Sequence, residues 1–316
     1  MPVTPLDRAR RWLFGPVDAR VVGWMRASLG ALLVTSHLAY APELDALFAP
    51  DALLTQGLFR SDTRWLAWYR LVPDAASLDL LHGALVVPAL LVLVGLGGRA
   101  SLLLALLAQL ALMHSNGLAQ NGGDRLLRMW TLCMLGSNGT AAVALDAWWA
   151  RRRGRVPPAV VSGLAVRLVQ LQLAWMYCST GLAKLGGSTW RSGDALYYAL
   201  LAEHFQRVGG LFTPERLGAG VALWITRLGT WLVLAWEAGF PLWVAWRRTR
   251  WVALALGVVF HLGIFATMMV GTFSVVSMWG YLAFVLPALP ALGRTGPAVI
   301  PVRATPTRRP PPGSAG

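Results

Sequence analysis

Apolar residues in this chain come in unbroken runs of about 20. Eight such runs can be read, at roughly 20–41, 76–97, 100–119, 124–145, 159–185, 219–246, 251–270 and 273–292. A run of that length carries an α-helix across a hydrocarbon core of ~30 Å, where every backbone N–H and C=O must find its partner within the chain. The short alternating strands of an outer-membrane barrel are a different pattern. Composition agrees: 56% of the 316 residues are hydrophobic and 13% charged, against about 25% charged in ordinary soluble domains, and mean hydropathy is +0.54. A soluble enzyme and a disordered chain are both excluded. The expected fold is all-α, a polytopic membrane helix bundle of about eight transmembrane helices. Interfacial or re-entrant helices are expected in two extracytoplasmic loops, 42–75 and 186–218, on the amphipathic pieces Thr63–Leu71 and Asp194–Phe205.

The net charge of +14 does not mark a nucleic-acid binder, because the arginines sit in short clusters between apolar runs. With eight spans, 16 arginines fall on the side of both termini, seven on the opposite side and four (Arg26, Arg128, Arg167, Arg227) within spans. Positive charge stays inside, so both ends are expected in the cytoplasm and the protein in the cell (inner) membrane. The division is a basic N-terminus at 1–19, the transmembrane domain at 20–292 and a disordered Pro/Arg-rich tail at 293–316. Ala39-Tyr40-Ala41 resembles a signal-peptidase site, but a long basic region and Arg26 argue for an uncleaved first span. Cys133 and Cys178 both lie in apolar runs and form no disulfide framework.

Ionisable groups inside a bilayer are costly and face the bundle interior or a water-filled cavity. Glu237 is the one acidic residue deep in a span, and Arg26 and Arg167 are its expected partners. Asp124 and Arg128 stand four apart on one helical face, which predicts a local pair, and Asp124 follows Asn121-Gly122-Gly123, where it can cap a helix. Arg26 and His37 are separated by about 20° around their helix and share a face. His114 and His261 are candidates to line a cavity or to sit satisfied in the core. His82 and His204 read as solvated groups near the interface. None of the histidines has metal-ligand spacing, so no metal is expected.

The fifth span says more. Arg167, Gln170, Ala174, Tyr177, Gly181 and Lys184 fall within an arc of about 100° at helical periodicity, a polar stripe with small residues that leave room beside it. Lys184 is the single lysine against 27 arginines. Two readings of it stand open. A desolvated lysine becomes a neutral amine competent as a general base; a lysine at a helix end can also snorkel to the interface.

The segment from Tyr177 reads Tyr177-Cys-Ser-Thr-Gly181-Leu-Ala-Lys184-Leu185-Gly-Gly-Ser-Thr-Trp190-Arg-Ser-Gly193, leading into Tyr197-Tyr198. It resembles the most characteristic stretch of the HTTM (horizontally transferred transmembrane domain) family, which is related to the vitamin K-dependent γ-carboxylase. Asn121-Gly-Gly-Asp124-Arg-Leu-Leu-Arg128, Glu237-Ala-Gly-Phe-Pro241 and His261-Leu-Gly-Ile with Gly271-x-Phe273 match as well, so the resemblance spans about 20–290. In the carboxylase the lysine of this motif is the base that deprotonates reduced vitamin K, whose oxygenated product removes a glutamate γ-proton so that CO2 can add.

By that resemblance Lys184 is the base, Tyr177, Asp124 and His114 are its catalytic companions, and His37, Trp190 and His261 hold the cofactor, reduced vitamin K or another quinone. The sequence departs from the carboxylase in carrying Ala183 before Lys184, one extra residue before Trp190, and Asp124 where the carboxylase has a functional histidine. The short tail adds the expectation that no large lumenal domain follows, and hence related membrane chemistry rather than protein γ-carboxylation.

Two classes of function follow. An enzyme acting on a quinone-like or lipid substrate at the outer face requires a cavity lined by Lys184, Tyr177, Asp124, His114 and His37. A non-enzymatic membrane partner, whether a maturation or immunity factor for a secreted peptide or a lipid-binding scaffold, requires that the polar groups pair off. Transport would need a polar path through both halves, and no internal repeat supports it. Most of the 16 tryptophans read as interfacial belts.

Overall fold

The first long helix organises the bundle. In the computed structural model, which describes residues 4–49, 52, 66–202, 207 and 218–289, an amphipathic α1 (Pro5–Phe14) starts with a capping box between Thr4 and Asp7 and ends at a short strand β1 (Pro16–Asp18). Asp18 then accepts the Arg20 N–H at 2.8 Å and opens α2 (Ala19–Tyr40). The chain continues through α3 (Leu44–Phe48), α4 (Ala75–Val94), α5 (Gly98–Ser115), α6 (Gly122–Met134) and α7 (Leu145–Arg152). A second strand, β2 (Val160–Ser162), pairs antiparallel with β1, Val17 opposite Val161. After it come α8 (Leu164–Leu185), α9 (Ser188–Ser192), α10 (Ala195–Leu201), α11 (Ala219–Ala245), α12 (Arg247–Thr267), α13 (Phe273–Trp279) and α14 (Leu282–Val285).

The main core gathers α2, α6, α8 and α11–α14 around Trp130, Met25, Leu29, Val169, Leu173 and Phe240. A smaller one, with Phe48, Tyr69, Leu78 and Leu112, sits under the segment after α2. Outward faces are apolar too: Leu80, Trp175, Leu232 and Val259 are all exposed. Apolar surface of that extent has no place in water and suits hydrocarbon. Among the described residues five helical segments are long and apolar enough to cross a membrane, Ala19–Phe48, Ala75–Val94, Gly98–Ser115, Gly220–Ala245 and Arg247–Thr267.

Three expected spans take other forms. The run expected at 124–145 is helical only to Met134, because Ser137-Asn138-Gly139 breaks it and the following residues turn back. The run expected at 159–185 begins with β2, and its helix of 22 residues carries the polar stripe. The last run, at 273–292, breaks near Gly280 into α13, α14 and a 3-10 turn over Leu286–Ala288. The small β1–β2 ribbon was outside an all-α expectation. Residues 53–65, most of the Thr63–Leu71 piece's start, His204, the end of Asp194–Phe205 and the tail lie outside the described residues.

Arg26 is not the partner of Glu237. Buried in α2, it donates from Nη1 to the carbonyls of Val92 (2.7 Å) and Leu93 (2.5 Å), from Nη2 to Val143, and from Nε to Gly139 at 3.4 Å. Val92 and Leu93 are in the last turn of α4, whose carbonyls lack their i+4 helical partners, Val92 taking only a 3.3 Å bond from the Gly95 N–H, and carry the negative end of the helix dipole. A guanidinium satisfies them where a second carboxylate would not. Arg167 is equally elsewhere, bonded to Gln170 (2.9 Å) and to the Trp12 carbonyl.

Candidate functional site

The polar stripe of α8 meets α11 and the last helices. Gln170 Nε2 donates to the Ala283 carbonyl at 2.7 Å. Two turns further, the Tyr177 hydroxyl lies 2.6 Å from His261 Nε2 and 2.9 Å from the Tyr281 hydroxyl. Two turns beyond Tyr177, Lys184 Nζ donates to both oxygens of Glu237, 2.6 Å to Oε1 and 2.5 Å to Oε2. Glu237 is buried, and Lys184 is one-quarter exposed at its side chain. The ammonium also stands 4.7 Å above the Trp190 ring, a cation–π contact that shields its remaining face. The actual partner of Glu237 is therefore the lysine, at the same level of the bundle.

Gly181 makes this pairing possible. A Cβ built there would lie 2.5 Å from the Ala238 nitrogen and 2.9 Å from its Cα. Only glycine lets the α8 and α11 backbones approach this closely, and one turn later the lysine reaches the carboxylate.

Aromatic rings wall the cluster. Trp236 and Phe240 each pack 4.6 Å from the Tyr177 ring, and Phe260 and Phe273 pack 5.3 and 5.7 Å from His261. His261 Nδ1 is buried without a hydrogen-bond partner among the described residues. On the far side of Trp236 and Phe260 runs an apolar groove of about 380 Å3 between α10, α11 and α12, lined among others by Leu200, Gly229, Val259 and Ile264.

α9 and α10 are tied to α11 at its other end. Arg227 Nε donates to Asp194 at 2.8 Å, and the Leu196 N–H donates to Thr230 Oγ1. The Ser192 hydroxyl first, and the Arg227 guanidinium after it, hold the Asp194 carboxyl below the usual carboxylate range.

The remaining candidates are in a second place. Asp124 accepts from the Tyr40 hydroxyl (2.8 Å), the Ser36 hydroxyl (3.1 Å) and the Asn121 N–H (2.9 Å). It is the third residue of α6 in a capping box whose cap is Asn121. Arg128, its expected partner, instead donates to Gln120 Oε1 at 2.7 Å. His82, expected to be solvated, is buried: Nε2 donates to the His37 carbonyl at 3.0 Å, so the neutral ring accepts the Tyr69 hydroxyl at Nδ1, 2.8 Å away. The His37 ring stacks tilted at 5.6 Å from His82, and its Nδ1 has no partner among the described residues. His114 is half-buried near Arg128.

Thus Lys184, Tyr177, Trp190 and His261 come together, while Asp124, His37 and His114 do not join them. The two clusters touch through the Asn121-Gly122-Gly123 turn, which packs against Thr272 and Phe273. One cavity lined by all five expected residues is not what the fold builds. Glu237, Tyr281, Trp236 and Phe260 complete the lysine cluster. Of these only Glu237 carried a sequence signal, as the lone deep acid.

The HTTM domain family matches residues 14–288, nearly the whole chain. The chain belongs to the HTTM domain family. No curated protein and no solved structure gives a match. The family relation to the vitamin K-dependent γ-carboxylase gives the lysine motif its context. With its apolar helices, this HTTM-domain chain is an integral membrane protein. Among the described residues of the HTTM domain, no three His, Cys, Asp or Glu side chains converge as a metal site would require.

Proposed function

We propose that this HTTM-domain protein is a membrane enzyme in which Lys184 and Glu237 form one proton-transfer unit acting on a quinone-like or lipid substrate. The supporting observation is the pair itself, a buried carboxylate taking two short bonds from the only lysine of the chain. A carboxylate so placed can accept the ammonium proton, leaving a neutral amine with no change in net charge. That amine then takes a proton from a substrate hydroxyl: the O–H bond breaks, an N–H bond forms at Nζ, Glu237 keeps the first proton, and the new ammonium is balanced by the substrate oxyanion beside it. Tyr177, His261 and Tyr281 continue the hydrogen-bond chain behind it.

Reduced vitamin K or another quinone fits these residues. Trp236 and Phe260 are shared between the polar cluster and the apolar groove, whose volume lies in the range of small-molecule sites, and His261 Nδ1 is an unused polar atom. A reduced quinone, when bound, supplies a weakly acidic hydroxyl on an oxidisable ring. Trp190 and His261 would orient it, and the groove would hold its apolar chain. In this reading the chain crosses the inner membrane eight times with both termini cytoplasmic, as the arginine distribution favours.

One observation favours the non-enzymatic reading, a scaffold or a partner of a secreted peptide. The lysine already donates to both oxygens of Glu237 and stands over the Trp190 ring. The test uses the full chain in nanodiscs with vitamin K hydroquinone, following binding by tryptophan quenching and aerobic hydroquinone consumption by chromatography. Lys184→Met is expected to lower consumption at least a hundred-fold, in line with loss of a general base, while binding persists. Equal consumption by wild type and Lys184→Met, or no binding by either, overturns the enzyme reading and leaves the scaffold.

A further inference from the structure

We propose that a pocket at the end of the bundle that carries β1 binds the phosphate of an anionic phospholipid headgroup. The pocket has a volume of about 670 Å3 and runs from buried Ala141 and Ala142 to exposed Arg151 and Arg155, with Arg20 beside them and Pro157-Pro158 along it. It is separate from the lysine cluster and independent of the reading given to that cluster.

The local chain geometry brings the two arginines together. α7 ends in a turn in which the Arg155 N–H donates to the Ala150 carbonyl (2.9 Å) and the Gly154 N–H to the Arg151 carbonyl (3.0 Å). Gly154, at φ +71°, takes the left-handed conformation this reversal needs. Arg155 is thereby folded back beside Arg151. Pro157-Pro158 then leads stiffly to Ala159, whose carbonyl accepts the Ala19 N–H at 2.9 Å.

Charge identifies the ligand. Arg20 is engaged by Asp18 at 2.7 Å. Among the described residues neither Arg151 nor Arg155 has a carboxylate within ion-pair distance, so the pocket holds two uncompensated guanidinium groups. Guanidinium forks match phosphate oxygens. The surroundings identify the source as a lipid. α2 begins at this pocket and, at 22 residues, is about as long as the hydrocarbon core is thick, so the pocket lies at the bilayer boundary. Trp148 and Trp149, one turn before Arg151, are exposed, as are Trp12 and Phe14 of α1. Exposed aromatic rings at this level are the mark of the membrane–water interface, where basic pockets hold anionic headgroups.

The test is native mass spectrometry of the full chain released from mixed micelles of phosphatidylcholine and phosphatidylglycerol, counting retained lipid. Wild type is expected to retain phosphatidylglycerol in preference to phosphatidylcholine, and R151Q/R155Q to lose that preference about thirty-fold, as expected for two arginines near a membrane surface. R152Q/R153Q removes the same charge from positions outside the pocket, Arg152 being stacked on Trp148 at 4.8 Å, and is expected to keep the preference. Unchanged melting of all variants in phosphatidylcholine shows that they fold. Equal loss in both double variants overturns the site in favour of diffuse attraction. Absence of preference in wild type also overturns it. Displacement of the lipid by inorganic phosphate at matched concentration overturns the lipid as the source.

Discussion

Two buried carboxylates in this molecule solve the same problem in different ways. Asp124 is satisfied by neutral donors, two of them on α2 and one from its own helix start. Glu237 takes its two short bonds from one ammonium on another helix, 53 residues away in sequence, with the Thr180 hydroxyl of that helix at 3.5 Å. The first arrangement fixes how α6 seats on α2. The second joins an ammonium and a carboxylate from two helices, beside aromatic rings that line an apolar groove. Chemistry is expected from the second and architecture from the first.

The largest effect that can break this contrast is on stability. Lys184→Met leaves Glu237 buried and unpaired, and should cost about 3 kcal/mol or more. The double variant Lys184→Met/Glu237→Met should regain most of that loss, because an ion pair replaced as a unit is close to neutral. Thermal unfolding of the three proteins in one detergent measures it. If the double variant unfolds no later than the single, the pair is not coupled.

Gly181→Val comes next. The added side chain meets the Ala238 backbone, and separating α8 from α11 should cost about 1–3 kcal/mol. It should also abolish the effect of mutating Glu237, which a double-mutant cycle reads. Asp124→Asn should be milder, about 1 kcal/mol, since the amide oxygen still accepts from Tyr40 and Asn121, and the amide NH2 can donate to the Ser36 hydroxyl in place of accepting from it. A penalty as large as that of Lys184→Met would erase the distinction between the two sites.

The smallest effect is a pH dependence in α9 and α10. Asp194 is held below the usual carboxylate range, so its contribution is present above the ordinary aspartate value and is lost as pH falls through the depressed one. The protection of residues 195–201 from hydrogen exchange, taken relative to the intrinsic exchange rate at each pH, should therefore fall only below about pH 4, and Asp194→Asn should remove that dependence. Loss of protection above neutral pH would contradict the sign.

Much of this was legible in the sequence. The stripe from Arg167 to Lys184 shows because helical periodicity survives whatever packs against it, and the lysine motif carried its family with it. The partner of Glu237 did not show. Depth along separate spans pointed to arginines, whereas the pairing depends on how far α8 slides along α11, which Gly181 decides by contact. The break after Met134 was hidden because Ala141–Leu145 continues the apolar pattern across Ser137-Asn138-Gly139. That Asp124 and Lys184 belong to different clusters was hidden as well, since the resemblance gives motifs without the Phe273 ring that stands between them.

Arg26 also sets a schedule for biogenesis. Its acceptors are the carbonyls of Val92, Leu93, Gly139 and Val143, between 66 and 117 residues further along the chain. The first span thus leaves the ribosome with a guanidinium whose partners have not yet been made. At about 5–20 residues per second, the last of them follows by roughly 6 to 23 s. Over that interval a charge one third of the way along the helix costs up to about 3 kcal/mol in the bilayer, so the helix gains by lingering beside the insertion machinery until its neighbours arrive.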